Sequence, residues 1–236
     1  MSPFFSYFGS KHRIAVKYPP PRHDTIVEPF AGSAGYAVRH YWRQVVLVDK
    51  DPAIIALWRY LVRVSAREIM RLPDLEIGAG VDGLNVSDEA RLLIGFNVNQ
   101  AVSGPRNTLT SWGTWGPAHR ARVAVQVERI RHWQIIEGSY ELAPDVDATW
   151  FVDPPYAEMG KHYRCGADAI DFAALATWCR SRRGQVMVCE NEGAEWLPFR
   201  RFHNARSARP RVGEVLTDAV SREVIWTNDP PARVLL

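Results

Sequence analysis

The chain has 236 residues, 47% apolar and 23% charged, with a formal net charge of +3 and a pI near 8.8. That is a globular composition sized for one ordinary domain with an inserted lobe, and no run of about 18 apolar residues is present to cross a membrane as a helix. The mildly basic balance is compatible with a nucleic-acid partner but does not require one. Arginine outnumbers lysine 25 to 4, which fits a GC-rich genome and also fits phosphate binding by planar guanidinium groups.

The opening stretch "MSPFFSYFGSKHR" is too short and too aromatic to read as a secretory signal. Thr25 to Phe30 reads as a short strand running into the small-residue turn "AGSAG", with a helix expected over Tyr36 to Trp42. "QVVLV" (44–48) is a second buried strand ending in "DKDP". Pro52 suits a helix start, and "AIIALWRYLVRV" follows with apolar residues at helical spacing. Strand, helix, strand, helix argues for a parallel α/β sheet.

The middle changes character. "DEARLLIGFNVNQAV" and "AHRARVAVQVERIRHW" carry helical periodicity around the loop "SGPRNTLTSWGTWGP", and a loop of that length is usually functional. Residues 70–133 therefore read as a helical insertion, and residues 1–69 with 134–236 as the main α/β domain. The βα pattern then resumes in "WQIIEGS", "TWFVDPPY", the helix "AIDFAALATWCRSR" and the strand "QVMVCEN". The end, around "FRRFHNARS" and "REVIWTND", looks like an antiparallel pair. Cys165, Cys179 and Cys189 are odd in number and lack metal-ligand spacing, so they read as reduced thiols of a cytosolic protein, with no metal site.

Two stretches carry chemistry. In "VEPFAGSAG", Gly32 and Gly35 occupy a strand-to-helix turn, where small residues let backbone N–H groups approach a ligand. Asp49 follows Gly32 by 17 positions at the end of the second strand, near the spacing of an acid that binds ribose hydroxyls. A third glycine is missing, which weakens a nicotinamide reading, and no Lys-Ser or Lys-Thr follows to make a P-loop. A tight turn capped by an acid would need no ligand at all.

The second stretch is "VDPPY", 152–156. Prolines cannot donate to a sheet ladder, so the strand ends where they begin. Asp153 and the Pro154 carbonyl offer two acceptors, and Tyr156 offers a flat face. Together they suit a planar group bearing an amino nitrogen. Two acceptors placed on that amine free its lone pair to attack a methyl group in line, by orientation and hydrogen bonding alone.

"DPPY" and "VEPFAGSAG", with "FFSYFGSKHR" in front, resemble the Dam-like class of DNA adenine methyltransferases. The last of these is similar to that class's opening segment F-x-x-aromatic-x-G-x-K. Segments 4–13, 27–35, 45–51, 149–156 and 186–191 match in order. The resemblance implies a Rossmann-like methyltransferase sheet with a small helical target-recognition insertion. It also implies S-adenosylmethionine as cofactor, double-stranded DNA as partner, and transfer to the N6 amine of a flipped adenine. Tyr7 and Lys11 are implied at the methionine end of the cofactor, with Lys11 a candidate partner for its carboxylate. Phe30, Ala31 and Gly32 are implied as the floor, Asp49 at the ribose, and Ser139 and Tyr140 near the adenine ring. Asp153, Pro154 and Tyr156 are implied to hold the target base, with Tyr163 covering it. Asn97, Asn99, Arg106 and Asn107 are the candidate base readers.

Two departures stand out. "EGSY" lacks the acid many relatives place near Ser139, and Ser6 stands where Dam-type enzymes carry a lysine that helps read GATC. Transfer to cytosine N4 or to structured RNA, or a non-catalytic DNA-binding role, are the rival readings.

Overall fold

The computed structural model describes residues 1–100, 102–156, 170–206 and 220–228. Among the described residues seven strands form one sheet: β1 (Thr25–Glu28), β2 (Gln44–Asp49), β3 (Gln134–Glu137), β4 (Ala148–Val152), β5 (Gly184–Asn191), β6 (Arg200–Arg206) and β7 (Val220–Thr227). Their order is β3-β2-β1-β4-β5-β7-β6. The first five are mutually parallel. β7 runs antiparallel between β5 and β6, as the sequence of the last two strands suggests.

Side chains alternate across this sheet with period two. Ile26, Leu47, Phe151 and Met187 face one side, where they meet Phe4, Phe5 and four helices. These helices are α1 (Pro52–Leu61), α2 (Ala66–Arg71), α3 (Asp88–Asn97) and α4 (Pro117–Val127). Val27, Val46, Val48, Trp150 and Val152 face the other side, covered by Leu175, Ala176 and Cys179 of α5 (Phe172–Ser181). Strands buried on both faces read as unbroken apolar runs, which is why "QVVLV" and "TWFV" are so apolar.

The helices begin where side chains can satisfy free N–H groups. Asp51 caps α1 through Ala53 N–H ahead of Pro52, Ser65 and Glu68 form a reciprocal box on α2, and Asp171 caps α5. The helix expected over Tyr36 to Trp42 is a single 3-10 turn, Ala37–His40. The Glu28 carboxylate takes the Ala37 N–H, and Ala34 has a positive φ of 48°, so the chain enters that turn from a bend.

The helical segment 70–133 packs into the same hydrophobic cluster as the sheet. Leu93, Phe96 and Val123 share it with Ile26, Trp58 and Phe151. The α/β sheet and the helical segment are therefore built around one core face. No helix among the described residues is long and apolar enough to cross a membrane.

Candidate active site

In strand order 3-2-1-4-5, the chain leaves β1 and β4 in opposite directions, and a crevice opens outside their carboxyl ends. A cleft of about 910 Å³, its solvent-open part included, lies there. It is bordered by Tyr7 to Lys11, the turn Glu28 to Gly35, Asp49 to Asp51, Gly138, Tyr140 and Asp153.

The floor is the β1 turn. Asp49 holds it: one carboxylate oxygen accepts from Gly32 N–H and the other from Asp51 N–H, both at 2.9 Å. Ala31 N–H adds a bond to the Val48 carbonyl at 3.0 Å. Desolvation pushes the Asp49 carboxyl up to about 6 against these backbone donors. A carboxylate offers about four lone-pair sites, so both oxygens retain capacity for a ligand's hydroxyls.

The two turn glycines make room for protein rather than open space. A Cβ on Gly32, whose φ is +42°, would stand 2.9 Å from the Tyr7 ring, and one on Gly35 would stand 2.7 Å from the His12 backbone nitrogen. The N-terminal segment thus lies directly across the turn as a wall of the cleft. At the other end, Phe30 and Tyr140 pair at 5.6 Å between ring centroids. Gly138 and Tyr140 border the cleft, whereas Ser139 between them does not.

Asp153 sits one residue beyond β4, its side chain 20% exposed. Burial pushes it up to about 6, the Lys11 ammonium pulls it down, and the Glu223 carboxylate pushes it up further. Lys11, expected near the cofactor's carboxylate, borders the cleft and faces two carboxylates of the protein itself. Its ammonium lies 3.2 Å from Asp153 Oδ1 and 3.3 Å from Glu223 Oε1, and 4.6 Å above the Tyr156 ring. Pro155 borders the cleft, and neither Pro154 nor Tyr156 is among the bordering residues.

Glu28 and Glu223 join the site without having been singled out from the sequence. Glu28 is 2% exposed, and burial pushes it up to about 8. An acid just before the turn in "VEPF" was a usable signal. Nothing local marks Glu223, which reaches the site only because β7 inserts beside β5.

The candidate base readers divide. Asn97 is fully buried; its amide donates to the Leu93 carbonyl at 2.9 Å and the Phe4 carbonyl at 3.3 Å, and its oxygen accepts from Thr114. It is a core bracket, because α3 turns it inward, and it is corrected here from a base reader to that. Asn107 is exposed, yet its side-chain oxygen accepts from Val81 and Asp82 N–H, both at 2.9 Å. Asn99 is half-buried and Arg106 exposed. Their loop touches the cleft wall through Phe8 N–H, which donates to the Val102 carbonyl at 2.9 Å. Trp112 in that loop is 68% exposed, while Trp115 is buried and donates to the Pro73 carbonyl. Tyr163 lies outside the described residues.

Arginines at the end of the helical segment serve partly structural roles. Arg120 is buried and binds the Met70 and Leu72 carbonyls and Asp74. Arg131 grips the Val62 and Val64 carbonyls and Glu128. His119, which reads as a surface residue in sequence, is buried with Nε2 at 3.1 Å from the Phe4 carbonyl.

No family model and no curated protein matches the chain. Among solved structures it is similar to a conserved hypothetical protein of Streptococcus pyogenes. The likeness covers 87% of this chain and 86% of that one, at 11% identity and a TM-score of 0.39. A likeness of that degree carries no functional argument.

Proposed function

We propose that the protein transfers a methyl group from S-adenosylmethionine to the N6 amine of adenine in DNA. The observation that carries this reading is the shared cleft. Asp49, suited to ribose hydroxyls, and Asp153, suited to an amine, border one cavity at the carboxyl ends of β2 and β4, the two strands that flank β1. The parallel sheet with β7 running back between β5 and β6 supports the Rossmann-like methyltransferase fold that the sequence motifs imply.

The residues present fit the cofactor. Asp49 would hold the ribose, Tyr140 would lie near the adenine ring, and Phe30, Ala31 and Gly32 would floor the reacting end. When bound, S-adenosylmethionine supplies the methyl group on a sulfonium. Asp153 and the Pro154 carbonyl accept hydrogen bonds from the target amine, hold it in line and direct its lone pair forward. As the N–C bond forms, the C–S bond breaks and its electron pair stays on the sulfur, which leaves as a neutral thioether; the cationic methylated amine then gives its proton to solvent, since a neutral exocyclic amine is far too weak an acid to ionise first. Burial and the neighbouring carboxylates hold the Tyr156 hydroxyl well above its ordinary value, so it stays protonated beside the base it would support. Asn99, Arg106 and Trp112, on the loop beside the cleft wall, would meet the duplex from which the base is flipped.

The test is incubation with S-adenosylmethionine and unmethylated duplex DNA, digestion to nucleosides and mass spectrometry. The expected outcome is N6-methyladenine, reduced at least about a hundredfold in Asp153→Ala. Cofactor bound by calorimetry without any methylated base would overturn the DNA substrate and turn attention to RNA or to a non-catalytic role. Methyl on cytosine would overturn the choice of base. Absence of cofactor binding would overturn the methyltransferase reading itself.

A further inference from the structure

Behind the cleft, side chains from the two ends of the chain meet at "DPPY". Glu223, 7% exposed, stands on β7, where its backbone is paired on both sides, with Asn191 of β5 and His203 of β6. One of its carboxylate oxygens lies 3.3 Å from the Lys11 ammonium, and the other accepts the Tyr156 hydroxyl at 2.9 Å. A buried carboxylate persists only when its oxygens are satisfied in this way. The same Lys11 ammonium pairs with Asp153 and lies over the Tyr156 ring.

We propose that Glu223 is a positioning residue of this site, fixing the Tyr156 ring through its hydroxyl and sharing Lys11 so that Asp153 keeps acceptor capacity for the incoming amine. The proposal rests on the methyl-transfer reading. Its logic is a competition for one cation. With Glu223 in place, Lys11 divides its charge between two carboxylates. Without that negative charge, Lys11 turns wholly to Asp153 and occupies the lone pairs that the amine requires. The phenol also loses its strongest acceptor, and the ring is free to tilt.

The groups facing Asp153 are Lys11 from the N-terminal segment, Tyr18 ahead of β1, Glu28 on β1, Tyr156, Cys189 on β5 and Glu223 on β7. Of these, Lys11 pulls Asp153 down and Glu223 pushes it up. Neutralising Glu223 therefore lowers the Asp153 midpoint on two counts, by removing a repulsion and by releasing Lys11. A merely structural role would leave that midpoint alone.

The experiment compares the full-length wild type with Glu223→Gln, which keeps the shape and a hydrogen-bond acceptor. The expected result is a kcat lowered about tenfold to a hundredfold, as small misplacements in such sites cost. KM for S-adenosylmethionine should stay within about twofold, and the acid limb of the kcat profile should move to lower pH. The Asp153 carboxyl, followed by carbon-13 NMR on aspartate-labelled protein, should titrate lower in the variant. Unchanged kcat and an unchanged Asp153 midpoint overturn the proposal. If the wild type transfers no methyl group, the methyl-transfer reading fails separately, and the NMR titration alone decides for or against Glu223. If Glu223→Gln lacks a cooperative melting transition, Tyr156→Phe reads the same contact from its other end. A tenfold loss of kcat with the ring intact supports the proposal, and wild-type kcat overturns it.

Discussion

Glu28 shows how one side chain can make the whole molecule sensitive to pH. Its carboxyl titrates at 4.5 when unperturbed and is pushed up to about 8 by burial, so the fold favours its protonated form. Stability from that preference is fully present below about pH 4.5 and is lost as pH rises through 8. Asp49 and Asp153, both pushed up to about 6, act in the same direction over a lower window. Glu28→Gln keeps an oxygen for the Ala37 N–H and removes the titration. The wild-type melting temperature should fall relative to that of the variant between pH 5 and 8.5, as followed by circular dichroism. A constant difference across that range would contradict the burial argument. Asp49 and Asp153 were legible as residues of the cleft, which both border, because each follows an apolar strand to its carboxyl end. Asn97 was misread, because a polar residue near a loop looks the same in sequence whether α3 turns it outward or into the core.

At the scale of elements, the β1 turn is the most constrained piece of the site. Small residues in "AGSAG" were expected to admit a ligand, and the strand-to-helix position was visible in the sequence. What the spacing did not reveal is that the N-terminal segment fills the space beside both glycines. Gly35→Ala forces a Cβ to 2.7 Å from a backbone nitrogen, which cannot swing aside as a side chain would. It should destabilise the protein by about 1–3 kcal/mol in urea unfolding. Gly32→Ala adds backbone strain at φ +42° and displaces Tyr7, so its signature should be weakened cofactor binding by calorimetry as well as lower stability. The helix expected after this turn is only the 3-10 turn Ala37–His40. The Glu28 carboxyl accepts its first N–H, a contact from nine residues earlier that no local periodicity encodes.

Across the whole molecule, the α/β alternation, the parallel strands and the antiparallel end were all readable, because doubly buried strands are continuous apolar runs. The position of β7 inside the sheet was not readable, and it brings Glu223 to the site. Nor was the degree to which residues 70–133 share a core with the sheet, since helical periodicity identifies an apolar face but not its partner. Asn97 is a bracket in that shared core, joining α3 to the N-terminal segment at the Phe4 carbonyl. Asn97→Ala should cost about 1–3 kcal/mol in stability, because it leaves buried groups unpaired. Arg106→Ala, at an exposed position, should change stability by less than about 0.5 kcal/mol while weakening binding to duplex DNA in fluorescence anisotropy. The opposite pattern would exchange the two roles.

The meeting of Lys11 and Glu223 across Asp153 also sets an order of assembly during synthesis. The turn, Asp49, Tyr140 and Asp153 all leave the ribosome before β7 is made. A nascent chain can therefore shape the floor of the cleft while the buried cation still has only one of its two carboxylates. The last described strand supplies the second of the two carboxylates that face Lys11, so the charge balance of the cleft depends on residues about 70 positions beyond Asp153.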